Sequence, residues 1–167
     1  EIEVGDWSSD VCSSDLVDTS DHSIHDLRRV IQKKWRNLTS RNQGMRVHLI
    51  SFGFKYGVPA EADMVMDLRF LPNPYFDEAL RPMSGKDEPI AQFVLDQEPG
   101  REYLRRLLEF LDFTLPLYSS EGRYRLTMAF GCTGGRHRSV AVTEAVLAHL
   151  RSRDYAVTVE HRHFSLG

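Results

Sequence analysis

Apolar residues recur along the chain with two different periods, which separate candidate strands from candidate helices. Strand-like apolar runs occupy residues 46–52, 64–68, 123–130 and 155–161. Helical spacing marks residues 103–111 and 140–150, with a shorter helix over 90–95. The order strand, helix, strand in the last third favours a parallel pair with a right-handed crossover. The pattern therefore predicts an α/β fold in three layers, with a small and mainly parallel sheet flanked by helices.

The stretch with the most informative chemistry is residues 131–140, between the third predicted strand and the last predicted helix. Its three glycines allow a tight turn whose backbone N–H groups converge at the positive end of the following helix. The same turn carries Thr133, Arg136, His137, Arg138 and Ser139. One interpretation is a turn whose glycines serve packing alone. Because packing does not explain two cations in one turn, we favour a pocket for phosphate or another anion.

Two further loops are expected at the same rim of the sheet, since ligands bind beyond the carboxyl ends of parallel strands. Lys55 and Tyr56 follow the first predicted strand, while Arg69 and Asn73 follow the second. For Arg69 the alternative is an ion pair with Asp67, and for Asn73 it is a role in holding the turn. The full set predicted to bind the ligand is Lys55, Tyr56, Arg69, Asn73, Cys132, Thr133, Gly134, Gly135, His137, Arg138 and Ser139.

The same loop also fits the signature of cysteine-dependent phosphatases. Cys132, Gly135, Arg138 and Ser139 have the spacing C-x2-G-x2-R-[ST], in which a thiolate attacks phosphorus and the arginine holds the phosphoryl oxygens. The residue before the cysteine is Gly131 rather than the signature histidine, and no carboxylate lies in a recognisable acid loop. We therefore predict no catalytic residue and keep the phosphatase as the alternative function.

Three sequence blocks together resemble one known family. GCTGGRHRS at 131–139, SFGFKYG at 51–57 and DLRFLPNPYF at 67–76 are similar, in the family's order, to the C-terminal domain of the RapZ/YvcJ proteins, which are RNase adapters and nucleotide-binding proteins. The resemblance covers about residues 45–163 and implies a RapZ-like C-terminal domain at 45–167. It also implies that residues 17–44 are a helix and linker from the end of a missing N-terminal nucleotide-binding domain. A helical apolar stripe in this segment consists of Ile24, Leu27, Ile31 and Trp35.

This resemblance implies a regulatory binding domain that takes a phosphorylated amino sugar of the glucosamine-6-phosphate type, a small regulatory RNA, or both, and that serves an RNase. Arg136, Arg138 and Arg162 are the expected RNA contacts. The parent family binds ATP or GTP through an N-terminal P-loop, which this sequence lacks, so no cofactor is predicted within the chain. The basic C-terminal tail of the RNA-binding members is also missing, which is expected to weaken RNA binding. Whether the chain forms a homo-oligomer is left open by the sequence.

Composition narrows the setting of the protein. The 167 residues carry a formal net charge of −3, so any nucleic-acid surface must be local. Two cysteines and no long apolar run indicate a cytoplasmic protein without a membrane partner. His161 and His163 lack a set of cysteines or carboxylates, so no metal site is predicted.

Residues 1–16 repeat Ser-Ser-Asp and resemble translated sequencing adapter, which indicates a non-native or disordered leader.

Overall fold

The computed structural model describes residues 45–166 and, before them, Ser20, Ser23, Ile24, Asp26, Leu27 and Val30. Four strands are described, β1 (Arg46–Gly53), β2 (Met64–Asp67), β3 (Arg125–Cys132) and β4 (Ala156–His161). The helices in this range are α1 (Glu88–Leu95), α2 (Gly100–Ser120) and α3 (Arg138–Ser152), with 3-10 turns at Phe54–Tyr56 and Pro74–Phe76. The strands and helices predicted within this range are therefore confirmed. The predicted leader and most of residues 17–44, Ile31 and Trp35 included, lie outside the described residues.

The four strands form one sheet in the order β2-β3-β1-β4, and every described pairing is parallel. The α/β prediction is confirmed. The two central strands are buried along almost their whole length, as expected for parallel strands covered on both faces. The last two strands are parallel, but β1 lies between them, so they do not pair with each other directly. The connection through α3 therefore crosses over β1.

The two faces of the sheet are covered differently. One face, with Val47, Leu49 and Met128, shares its apolar cluster with buried residues of all three described helices. The other face contributes Ile50, Phe52 and Ala129 to a second cluster, which packs against Phe54 and Ala62. Among the described residues, the layer on that second face is therefore the loop between β1 and β2 rather than a helix.

The chain leaves the two central strands in opposite directions. Gly53, the last residue of β1, is the direct neighbour of Cys132, the last residue of β3. After Gly53 the chain passes to the loop face, whereas after β3 it enters α3 on the helical face. In open α/β sheets, ligands bind beyond the carboxyl ends of strands whose connections diverge in this way. The two loops that sequence analysis assigned to one rim do lie at the same edge.

The two loops approach each other more closely than side chains allow. A Cβ atom added at Gly53 would lie 2.6 Å from the carbonyl carbon of Gly134. Gly135 has φ +82°, and a Cβ atom there would lie 2.7 Å from the main-chain nitrogen of Gly53. Glycine is therefore required at Gly53 by the close approach and at Gly135 by both space and backbone conformation.

Replacing Gly53 by alanine tests this close approach alone, because the φ of −107° at Gly53 suits any residue. We expect Gly53→Ala to lower the free energy of unfolding by about 1–3 kcal/mol, measured by urea denaturation, because main-chain atoms must shift. Val58→Ala, in an exposed part of the same loop, is the control and should change stability by less than about 0.5 kcal/mol. Equal stability of Gly53→Ala and the unmodified chain would contradict the observed approach.

Candidate anion-binding site

The glycine loop turns around the sulfur of Cys132. The thiol is 2% exposed, and its Sγ accepts a hydrogen bond from the main-chain N–H of Gly135 at 3.2 Å. The hydroxyl of Ser139 lies 3.1 Å from the same sulfur. The N–H of Gly135, predicted to face an anion, points instead into the loop. Gly135 has a φ of +82°, a conformation that glycine adopts without strain, and its N–H is engaged by the sulfur.

Arg138, the first residue of α3, is 4% exposed. Its Nη1 donates to the carbonyl oxygens of Arg69 at 2.8 Å and Leu71 at 3.2 Å, and its Nη2 donates to Thr133 Oγ1 at 3.2 Å. Its Nε is buried and has no partner among the described residues. Burial lowers the pKa of Arg138, and the negative charge of Asp67 opposes this shift. The side chain therefore ties the loop after β2 to α3 while one of its donors stays unpaired.

The start of α3 adds main-chain donors beside this arginine. His137 is the N-cap residue, and its side chain makes no capping hydrogen bond. N–H groups in the first turn of a helix have no acceptor within the helix and carry the positive end of its dipole. In the described part of the chain, the N–H of Gly134 also donates to no protein group. An anion at this edge would meet several such donors.

His137 and Arg136 hold the segment between the second 3-10 turn and α1. His137 Nε2 donates to the carbonyl oxygen of Met83 at 2.9 Å, and Arg136 donates to the carbonyl oxygens of Met83 at 3.0 Å and Pro82 at 2.7 Å. The N–H of Gly85 returns a bond to the carbonyl of Arg136 at 2.9 Å. Burial lowers the pKa of His137 below its ordinary 6.5, which favours the neutral ring. Both side chains are thus engaged with the protein itself.

Arg69 and Asn73 fit the alternative interpretations given to them above. Arg69 forms a two-point ion pair with Asp67, whose carboxylate lies 2.6 Å from Nη2, and this pair holds the pKa of Asp67 below its usual range. The guanidinium of Arg69 also lies 4.3 Å from the ring centre of Phe54. Asn73 accepts a bond from the N–H of Tyr75 and caps the 3-10 turn. Both side chains are therefore engaged with neighbouring residues of the protein.

Lys55 and Tyr56 lie in the 3-10 turn after β1, beside the glycine loop. The main-chain N–H of Lys55 donates to the carbonyl of Thr133 at 3.3 Å, while its ammonium is exposed over the ring of Tyr56. The Tyr56 hydroxyl donates to the carbonyl of Leu166 at 2.6 Å, and its ring lies 4.5 Å from that of His163. The Lys55 side chain is therefore an exposed cation beside the loop, whereas the Tyr56 hydroxyl is engaged.

Arg162, predicted to contact RNA, forms ion pairs with two carboxylates. Its guanidinium binds Glu160 at 2.9 Å and also Glu61. These bonds raise the pKa of Arg162 and lower that of Glu61 to about 2. The local charge of this group is therefore negative rather than positive, since one arginine faces two acids.

Sequence analysis did not predict two hydrogen-bonding contacts near the site, those of His163 and His161. The only indication of them in the sequence is the polar character of the residues at the end of the last strand. His163 Nδ1 accepts a hydrogen bond from the N–H of Gly53 at 3.0 Å, which fixes the turn after β1. His161 bridges Ser51, at 2.8 Å, and Glu144, also at 2.8 Å, and so links β1, β4 and α3. The Ser51 end of this bridge is fully buried. Within the described residues, no group of histidine, cysteine and acidic side chains could hold a metal ion.

The sheet and its loop define an α/β domain with a glycine-rich strand–loop–helix site. The sequence model of the RapZ C-terminal domain matches residues 45–165, so the chain belongs to the family of RapZ C-terminal domains. The resemblance drawn from the three sequence blocks is thereby confirmed. In the described part of the chain, no helix is both long and apolar enough to cross a membrane.

The chain is similar to several curated bacterial proteins, each called a nucleotide-binding protein. It is 62% identical over 152 residues to one from Nitratidesulfovibrio vulgaris (strain DSM 19637 / Miyazaki F), a match covering 91% of this chain and 52% of the relative. A relative from Lawsonia intracellularis is 54% identical, and the match covers 91% of this chain and 47% of the relative. One from Clostridium perfringens (strain SM101 / Type A) is 41% identical, and the match covers 90% of this chain and 51% of the relative. The chain therefore spans about half the length of these relatives.

His163 makes the stability of the site dependent on pH. Its Nδ1 must be unprotonated to accept the Gly53 N–H, and burial lowers the pKa of His163 below 6.5. The unfolded chain then binds the proton more tightly, so stability is complete above about pH 6.5 and falls as the pH drops toward the lower folded pKa. We expect the melting temperature measured by circular dichroism to decrease over that range.

The matched variant is His163→Asn, because the amide oxygen of asparagine can occupy the position of Nδ1 but does not titrate. The difference in melting temperature between the variant and the unmodified chain should change with pH below about 6.5 and stay constant above it. A difference that is independent of pH would show that His163 does not contribute to the acid response.

Proposed function

We propose that this chain is the regulatory ligand-binding domain of an RNase adapter-like protein and that it captures a phosphorylated amino sugar, of the glucosamine-6-phosphate type, at the glycine loop. The observation that carries the proposal is the buried Nε of Arg138, which has no partner in the described part of the chain. A buried donor without an acceptor destabilises a fold, and a charged donor does so most. An anionic oxygen supplied by a ligand would satisfy it.

A phosphate group suits the surroundings of that donor. The N–H of Gly134 and the first turn of α3 offer neutral donors, and the exposed Thr133 adds a hydroxyl that already accepts from Arg138. Bonds between a guanidinium and a phosphate are charge-assisted and stronger than neutral ones. The exposed ammonium of Lys55 beside the loop adds a second positive charge. The sugar moiety would extend toward Lys55 and Tyr56.

The RNA and nucleotide parts of the proposal have different support. RNA contacts through Arg136 and Arg162 would have to replace the protein oxygens that both guanidinium groups now bind. The relatives are called nucleotide-binding proteins, and this chain covers only about half of each. We therefore assign ATP or GTP binding to the part of the relatives that this chain does not cover.

The role of Arg138 is tested by calorimetric titration with glucosamine-6-phosphate. We expect Arg138→Lys to weaken binding about tenfold or more, because lysine keeps the charge but lacks Nε and the two-pronged donor geometry. Thr133→Val, at an exposed position of the same loop, should weaken binding less and leave the fold unchanged.

Arg101→Lys is the control, because Arg101 is an exposed arginine on α2 paired with Glu98. It should bind the ligand as the unmodified chain does. If Arg138→Lys fails to fold, Thr133→Val still tests the loop. Affinities equal to that of the unmodified chain in both loop variants would refute the assignment of the site.

The surroundings of Cys132 favour a second candidate function, a cysteine-dependent phosphatase. The N–H of Gly135 donates to the sulfur and the hydroxyl of Ser139 lies 3.1 Å from it, which are contacts that a nucleophilic sulfur can use. Against this function, Cys132 is 2% exposed, and the Nη atoms of Arg138 donate to protein oxygens. No carboxylate among the described residues is identified as the acid for a leaving group. The binding function is therefore the one we favour.

Turnover of an aryl phosphate distinguishes the two functions. We expect no release of the phenol above background from the unmodified chain and, accordingly, no difference in Cys132→Ser. Release that Cys132→Ser abolishes would establish the phosphatase, because serine lacks the nucleophilic thiolate. Ser152→Ala, at an exposed position at the end of α3, serves as the control for nonspecific effects.

A further inference from the structure

Two arginines lie side by side at the amino end of the sheet, far from the glycine loop. Arg46 of β1 and Arg125 of β3 are direct neighbours across the parallel ladder. Side chains at neighbouring positions of parallel strands point to the same face, and adjacent strands are about 4.8 Å apart. Because side chains alternate between the two faces of the sheet along β1, Arg46 lies on the same face as Ile50 and Phe52. This is the face opposite the three described helices.

Like charges at this spacing repel each other, and nothing in the described part of the chain neutralises them. Neither guanidinium forms an ion pair or a side-chain hydrogen bond with a described residue, and both side chains are exposed. Most arginines on this part of the surface are paired: Arg123 with Asp63, Arg153 with Asp112 and Arg162 with Glu61 and Glu160. The Arg46–Arg125 pair is therefore an uncompensated concentration of positive charge.

A groove of about 560 Å³ lies beside these arginines, lined by Arg46, His48, Arg125, Ala156, Val157 and Thr158. His48 Nδ1 is hydrogen-bonded to the hydroxyl of Thr158 at 2.8 Å, which fixes the imidazole across β1 and β4. The carboxylate of Glu160 lies 3.7 Å from the other nitrogen of His48 and is also bound by Arg162. The groove thus has two exposed cations at one end, while the group of Glu61, Glu160 and Arg162 beyond His48 carries a net negative charge.

We propose that this cationic groove, defined by Arg46, His48, Arg125 and Thr158, is a second anion site that binds a small molecule carrying a phosphate or diphosphate group. Two guanidinium groups can each give two parallel bonds to phosphoryl oxygens, which relieves their mutual repulsion. The volume fits a small ligand of the size that protein clefts usually hold. The site is separate from the glycine loop, because its lining residues belong to the amino-terminal halves of β1, β3 and β4, whereas the glycine loop follows the carboxyl end of β3.

The test uses inorganic pyrophosphate and the full chain, with two-dimensional NMR of the backbone amides as the readout. We expect pyrophosphate to shift the amides of residues 46–48, 125–127 and 156–158 in a saturable way. The double variant Arg46→Gln/Arg125→Gln should lose at least about tenfold in the affinity measured at these amides. Shifts at Gly134 and Gly135 report the glycine loop separately, so failure of one site leaves the other measurable.

Arg101→Gln/Arg106→Gln is the control, since it removes the same charge from exposed arginines on α2 that are paired with Glu98 and Glu102. This control should bind as the unmodified chain does. The proposal is overturned if the groove amides do not shift at millimolar pyrophosphate, or if the two double variants lose affinity equally. It is also overturned if only a single-stranded RNA oligomer, and not pyrophosphate, shifts the groove amides in a manner that depends on Arg46 and Arg125.

Discussion

The candidate site depends on the approach of two main-chain turns at the carboxyl ends of β1 and β3. Gly53 lies against Gly134 and Gly135 with no space for a Cβ atom between them. His163 accepts the N–H of Gly53, and the sulfur of Cys132 accepts that of Gly135, so both turns have internal hydrogen-bond partners. This arrangement fixes the first turn of α3, whose residues are buried, at the carboxyl edge of the sheet, while Gly134 is half-buried and Thr133 is exposed.

Arginines connect the parts of the rim that come from separate regions of the sequence. Arg138 binds carbonyl oxygens of the loop after β2, and Arg136 binds those of Pro82 and Met83 before α1. A guanidinium suits this role because it has five donors in a rigid plane and remains charged. Arg138 combines this structural role with the ligand-binding role proposed above, because its Nη atoms are engaged while its Nε is not.

The distribution of positive charge separates two regions of the sheet. At the carboxyl edge, cations are mostly buried or bound to protein oxygens, and one donor of Arg138 is left over. At the amino edge, Arg46 and Arg125 are exposed and unpaired within the described residues. The ends of β1 are seven residue steps apart, or about 23 Å, so one small ligand cannot occupy both regions. The mild overall charge of the chain conceals this local separation.

By itself, the sequence determined the types and order of the elements within residues 45–166, because apolar periodicity is a local property. It also indicated that the glycine loop and the turn after β1 share a rim, since parallel strands end at one edge. Only the tertiary structure decided which donors remain free there. Gly135 and His137 bind protein acceptors, and the residues that engage His137 and Gly53 lie 54 and 110 positions away in the chain. Periodicity carries no information on such distant partners, because hydrogen bonds are assigned only when packing brings donor and acceptor together.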